Sequence, residues 1–587
     1  MKIVWYNEDD WEGVRIMKKV IPALVAIILI FMVAAVCFGT KLLDKYSYSK
    51  EYADLDEYFE IDGKEDTAIV LQDERIADRA LIREGEYYLP LETVQQYFNT
   101  RFYEDRGEGL LLYTTPTEIM TTQIGTEVYT VSGGAGDNQE IQTETRDYQL
   151  SFYEGESLYL AIDYVKEYTN FSYEAFTEPN RLQIYTQWED RTVADVSKDT
   201  QVRYQGGIKS DILEDVSKGD TLIVLEEMEK WSKVKTADAV IGYVENKRLT
   251  NQRTEPQEPV TDYEVPEYTS LTRDHKICLA WHQVMSAAAN STLSSVLEGT
   301  SSINVISPTW MSLNGSDGQF DNIGSFEYVE EAHNRGIEVW ALVDNLREGV
   351  DSYAVLSSTT NRTRLIEGLV ASAKGLGIDG INIDFEQLTP ETGKHFVQFL
   401  RELSIPCRKN GIVLSVDNYV PMGNTDYYDR TEQGVIADYV IVMGYDEHWS
   451  GSEEAGSVAS IDYVEHGIQK TVEEVPSHKV INGIPLYTRV WKTQGGQVSS
   501  DAVDMGSAEA FLSRHGVQAE WDEATCQNYG EFEQDGALYQ VWLEDEQSIE
   551  VKLNVMRNYD LAGVAAWKLT LEKPTVWNVI DAYVNGD

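Results

Sequence analysis

An eight-fold β/α barrel is the fold the sequence predicts for the C-terminal half of this 587-residue chain. Two observations predict it. Apolar strands alternate with amphipathic helical stretches from residue 273 to 585, which makes eight β/α units. One of these strands carries acidic and amide side chains on the face that turns into the barrel. A third observation sets the context: an uninterrupted apolar run near the N-terminus is long enough to cross a bilayer. With 42% hydrophobic and 25% charged residues, most of the chain is expected to fold, in several domains.

The formal charge is −51, from 48 basic and 99 acidic residues. That balance excludes nucleic acid as a partner, because no basic patch could dominate the field. Four cysteines, Cys37, Cys278, Cys407 and Cys526, are too few for a disulfide scaffold, and no essential disulfide is expected. All eight histidines lie from His275 onward without a spacing such as HExxH, which argues against a zinc enzyme.

Residues 20–38 read VIPALVAIILIFMVAAVCF, with no charge inside. About 19 apolar residues suffice to span a membrane. The competing reading is a cleaved signal peptide, but no small-x-small cleavage site follows. An uncleaved anchor is therefore expected, with residues 1–19 as a cytoplasmic tail. Lys2, Arg15, Lys18 and Lys19 before the span outnumber Lys41, Lys45 and Lys50 after it only slightly. The charges of the first 40 residues cancel, so the whole excess of acid follows the span. The bulk of the chain is expected outside the cell.

Residues 60–190 hold a repeat. YYLPLETVQQYFNTRFYED from Tyr87 aligns with LYLAIDYVKEYTNFSYEAF from Leu158, and strands LLLYTT and LQIYTQ follow at Leu110 and Leu182. Each unit reads as strand, short helix, strand, strand. The repeat resembles the copper amine oxidase N-terminal domain. A stalk is the expected role, with a binding role as the alternative.

Residues 200–250 change to short strands and turns. The KGD turn at Gly219, the WSKV strand from Trp231 and the GYV strand at Gly242 resemble a bacterial SH3 domain. That resemblance implies either contact with cell-wall peptides or a spacer. Residues 251–270, with Pro256, Pro259 and Pro266, read as a stiff linker.

The barrel strands are expected at KICLAWH, INVISP, IEVWALV, DGINIDF, IVLSVDN, DYVIVMGY, KVINGIP and AGVAAW. The long gap between strands seven and eight, about 492–540, suggests a small inserted subdomain walling a groove. Alternation along strand four sends Ile381, Ile383 and Phe385 toward the helices and Asn382, Asp384 and Glu386 into the barrel. Burying two carboxylates there costs several kcal/mol unless they are hydrogen-bonded or protonated. Two carboxyls on one face can share a proton, which leaves an acid available near neutral pH. Glu386 stands at the carboxyl end of the strand, where barrel active sites lie.

This strand resembles the DxxDxDxE pattern of glycoside hydrolase family 18, with Asp379, Asn382, Asp384 and Glu386 in its positions. Met443, Tyr445 and Asp446 resemble the family's MxYD, and Trp567 its subsite tryptophan. The resemblance covers 273–585 and looks closest to the spore cortex-lytic and peptidoglycan N-acetylglucosaminidase branch. It implies a membrane-anchored glycosidase of N-acetylhexosamine linkages, in peptidoglycan first of all. Its mechanism would be retaining and substrate-assisted, with Glu386 as acid, Asp384 as the assisting carboxylate and Tyr445 as donor to the acetamido group. It implies no metal and no organic cofactor. A wall-glycan lectin and a chitinase or endo-N-acetylglucosaminidase are the alternatives.

The departure from the pattern is Asn382, where chitinases carry Asp. The amide is expected to hydrogen-bond Asp384 without sharing its charge. Trp281, Trp340, Tyr419, Tyr487, Asn418 and Arg489 are further candidates for sugar contacts, as aromatic platforms or hydroxyl partners. Trp310, Trp449 and Trp491 also fall near strand ends, and Cys278 is expected as buried packing.

Overall fold

The computed structural model describes residues 10–134, 141–259 and 263–586. Parts of the expected cytoplasmic tail (1–9) and of the linker (260–262) lie outside the described residues. The apolar run is continuous helix within Asp10–Tyr46, and its side chains from Val20 to Phe38 are exposed throughout. The chain divides into two units, one of residues 1–98 and 159–264, the other of residues 99–158 and 265–587.

In the first unit the two repeat copies meet through their leading strands. Tyr88, Leu89 and Pro90 pair antiparallel with Ala161, Leu160 and Tyr159. Short helices Leu91–Tyr97 and Ile162–Lys166 follow in the two copies. Beyond them a seven-stranded antiparallel sheet spans Arg191–Glu255, with Val196, Val202, Val216, Leu222, Val234 and Val244 as its core. This is the SH3-like module. A second core joins it to the repeat region, with Phe59, Ala68 and Val70 packed among Leu213, Ala239 and Val240.

The second unit is built on the closed barrel. Its strands are β1 (Ile277–His282), β2 (Val305–Leu313), β3 (Glu338–Asp344), β4 (Gly380–Asp384), β5 (Val413–Tyr419), β6 (Tyr439–Met443), β7 (Val480–Pro485) and β8 (Gly563–Trp567). Each pairs in parallel with the next, and β8 closes onto β1. The alternation in β4 is resolved as the residue types require. Phe385 lies parallel to Phe399 at 5.7 Å and near Phe396, both on the helix Pro390–Asn410. The inserted subdomain begins directly after β7. It is a five-stranded sheet over residues 487–543 with the helix Met505–Arg514 packed on it.

Residues 99–158 belong with the barrel, so the two repeat copies end differently. Leu110–Thr114 of the first copy lies in a five-stranded antiparallel meander, and Arg181–Tyr185 of the second lies in the sheet of the other unit. The meander docks on barrel helices through polar groups. Arg362, fully buried, reaches Glu402 through Nε and Nη2, and Tyr103 Oη through Nη1 at 3.1 Å. Tyr103 also meets His395 Nδ1 at 2.5 Å. Arg101 forks onto Glu432, which Arg401 holds from its own side. Asp105 and Glu108 accept the first N–H groups of the helix Thr359–Leu376. Carboxylates at that position satisfy orphan donors and oppose the positive end of the helix dipole.

Candidate active site

The mouth of the barrel is built from the ends of β3, β4, β5 and β6. Glu386 follows β4 and is half-buried. Its backbone is clamped by Asn345, whose Oδ1 accepts from Glu386 N at 2.9 Å and whose Nδ2 donates to Glu386 O at 2.8 Å. Its carboxylate accepts from Tyr419 Oη at 2.6 Å. Burial pushes the Glu386 carboxyl above the usual range, and Asp446 and Asp344 add to the push, while the Tyr419 hydrogen bond opposes it. The side chain is therefore inclined to keep a proton, which suits a general acid.

Asp384 sits one step inward on the same face and is 7% exposed. Its Oδ1 is sealed and has no hydrogen-bond partner among the described residues. Burial raises its carboxyl well above the ordinary value, and the charges of Asp417, Glu386 and Asp344 raise it further. Tyr445, after β6, is nearly buried, and its hydroxyl is raised by burial and by the charges of Asp384, Asp417 and Glu386. Gly483 on β7 makes room for this ring, since a Cβ there would lie 3.0 Å from Tyr445 Cε1.

The amide of Asn382 behaves differently from the expectation. It does not bond Asp384. Its Oδ1 accepts from Trp281 Nε1 at 3.0 Å and Ser307 Oγ at 3.1 Å, and its Nδ2 donates to Asp417 Oδ1 at 2.8 Å. Asp417 on β5 and Ser307 on β2 are thus parts of the site that reasoning from β4 alone missed. Asp417 was visible as the one carboxylate in the strand IVLSVDN, on the same face as Ser415.

Several sequence candidates are not brought to the mouth. Asp379 lies at the opposite end of β4, where it accepts from Val339 N and pairs with His333 Nε2, both at 2.8 Å. Trp340 is fully buried, stacked on Tyr439 at 5.3 Å, with its Nε1 donating to Glu338. It cannot be a sugar platform. Trp281 is likewise buried and serves Asn382 and, edge-on at 5.8 Å, Trp567. Asn418 faces away from the barrel interior and exchanges two hydrogen bonds with Gln433. Alternation explains this last error, because Asp417 and Tyr419 take the inward positions of β5.

Trp567 remains partly open at the end of β8, Met443 is buried beneath the mouth, and Tyr487 donates to the exposed Asp446. Arg489 donates to Ser500 within the inserted subdomain. Trp310 and Trp491 are core residues, whereas Trp449 is 56% exposed. Burial pushes the Cys278 thiol up to about 12, as inert packing requires.

Residues 226–572 match the profile of glycosyl hydrolases family 18. The chain belongs to glycoside hydrolase family 18. Residues 198–250 match the bacterial SH3 domain. A Bacillus subtilis protein named as a sporulation-specific glycosylase, YdhD, is 31% identical over 255 residues, 41% of this chain and 60% of that protein. The cortical fragment-lytic enzyme of Bacillus anthracis is 27% identical over 236 residues, 38% of this chain and 54% of that enzyme. The match thus spans little more than half the length of these relatives. The solved spore cortex-lytic enzyme SleL of Bacillus cereus aligns with 54% of this chain and 75% of its own, at 23% identity and TM-score 0.48. The family model is that of glycosyl hydrolases, and the relatives reported are named as a sporulation-specific glycosylase and a cortical fragment-lytic enzyme.

Proposed function

We propose that the barrel cleaves N-acetylhexosamine linkages of peptidoglycan by substrate-assisted retention. The observation that carries this reading is the pair on one face of β4: a half-buried acid at the mouth, Glu386, beside a buried carboxyl, Asp384. Glu386 protonates the glycosidic oxygen as the bond to the anomeric carbon breaks. The acetamido oxygen of the same sugar forms the new bond to that carbon, giving an oxazolinium ion. Asp384 accepts the acetamido N–H and balances the positive charge. Tyr445 donates to the acetamido oxygen. Glu386 then takes a proton from water, whose oxygen reopens the ring with the original anomeric configuration. This is the substrate-assisted exception to the two-carboxylate scheme.

The wall as substrate is supported by the SH3-like module and by relatives named for cortex fragments. The exposed apolar helix Val20–Phe38 supports a single-pass anchor with the barrel outside the cell. The test is incubation of the detergent-solubilised full chain with purified peptidoglycan and, separately, chitin oligosaccharides, with new reducing ends read by mass spectrometry. Cleavage of peptidoglycan that Glu386→Gln abolishes is expected. Equal product from wild type and variant would overturn the mechanism, and cleavage of chitin alone would overturn the substrate.

A further inference from the structure

We propose that Asp417 is a positioning residue for the reaction above: it stays protonated at neutral pH and donates a hydrogen bond to Asp384, keeping that carboxylate ionised toward the substrate. The proposal rests on the family 18 mechanism given above.

Strand register places the two groups. Asp344 on β3 is level with Asp384 on β4. Ile383 is level with Val416 on β5, so the next step sets Asp384 beside Asp417. Adjacent strands stand about 4.8 Å apart, and level residues share a face. Three carboxyls therefore form a row across β3, β4 and β5. The outer one, Asp344, has partners of its own, Ser312 Oγ at 2.7 Å and Leu346 N at 3.1 Å. The middle one, Asp384, has a sealed oxygen that lacks a donor among the described residues.

The amide of Asn382 has only one workable orientation. Trp281 Nε1 can only donate, so it must meet the amide oxygen, and the NH2 group then faces Asp417 Oδ1. That bond fixes the Asp417 carboxyl and leaves its other oxygen to carry a proton. The titratable groups facing Asp417 are Asp384 and Glu386 from β4, Tyr419 on its own strand, and Tyr445 after β6, with Asp344 one strand farther. Its level neighbour on β6 is the apolar Ile441. All of these are acids or neutral groups, so ionising the whole row is unfavourable. Asp417 is 2% exposed; burial, with the charge of Glu386, pushes it up to about 8 against the Asn382 hydrogen bond, which favours its charged form. Burial raises Asp384 as well, so the row keeps at least one proton; a proton held on Asp417 leaves Asp384 ionised toward the substrate, and the carboxyl missing at position 382 is supplied from β5.

The experiment compares Asp417→Ala with Asp417→Asn in the full chain. Asn keeps a neutral donor toward Asp384 and an acceptor toward Asn382, whereas Ala keeps neither. The acid limb of kcat/KM on the cleaved glycan is expected to rise by about one pH unit in Asp417→Ala, with KM changed less than about threefold. It should stay near wild type in Asp417→Asn. An independent readout is the infrared C=O band of a protonated carboxyl at pH 7, which both variants should lose. This band tests the proton without any turnover, so its presence survives a failure of the proposed reaction. An unmoved limb in Asp417→Ala would overturn the proposal. So would a downward shift in Asp417→Asn, which would mean an ionised Asp417, or a band identical in wild type and both variants.

Discussion

Tyr419→Phe is the sharpest probe of the acid. The hydroxyl donates to Glu386 at 2.6 Å, a short charge-assisted bond. Such bonds contribute about 1.5–3 kcal/mol when the acceptor is charged. The protonated acid also accepts from Tyr419, and half of the site is open to water, so only part of that energy distinguishes the two protonation states. A differential of about 1.4 kcal/mol is a reasonable share and corresponds to about one pKa unit. The sign follows from the geometry: the bond favours the carboxylate, so its removal raises the acid above its already elevated position. The alkaline limb of kcat/KM reports the free enzyme's acid and should move upward by about one pH unit. The assay is initial rate against pH on the cleaved glycan. A limb that stays in place, or moves down, would refute the assignment of Glu386 as the acid held by Tyr419.

Three further outcomes are expected. Glu402→Gln leaves the buried Arg362 guanidinium without its counter-charge, which costs about 3–5 kcal/mol. At the entropy of a unit this size the melting temperature should fall by about 5 °C, checked by calorimetry, because the same guanidinium also donates to Tyr103 of the meander. A protonated Asp417 means that between about pH 4 and pH 8 the native state keeps a proton the unfolded chain has already released. Wild type should lose stability with rising pH across that window, by up to about 1.4 kcal/mol per pH unit, and Asp417→Asn should lose less, as denaturant titrations would show. Finally, the charge of −51 opposes recruitment of anionic wall polymers by long-range attraction. Binding of peptidoglycan measured by sedimentation should hold or strengthen as salt is raised, and a steep fall with salt would point to a basic contact patch.

Strand four shows how far local pattern reaches. Its two-residue period separated Phe385 from Asp384 and Glu386, and the barrel bears out that division. The same period along IVLSVDNY holds the inward places of Asp417 and Tyr419, yet Asn418, which faces Gln433, is equally polar. Tryptophans were less legible. Trp281, Trp340 and Trp567 all lie in barrel strands, but only the partner of each ring decides between core and rim.

By itself, the sequence determined the barrel, the acidic face of β4, the SH3-like module and the apolar helix, because each is written in residues close together along the chain. Tertiary structure alone decided that residues 99–158 belong to the barrel unit, and that Asn382 serves Asp417 instead of Asp384. The first depends on polar docking of the meander onto barrel helices, and the second on which side chains come level when eight strands close into a ring. That register is a property of the whole sheet, and no single strand contains it.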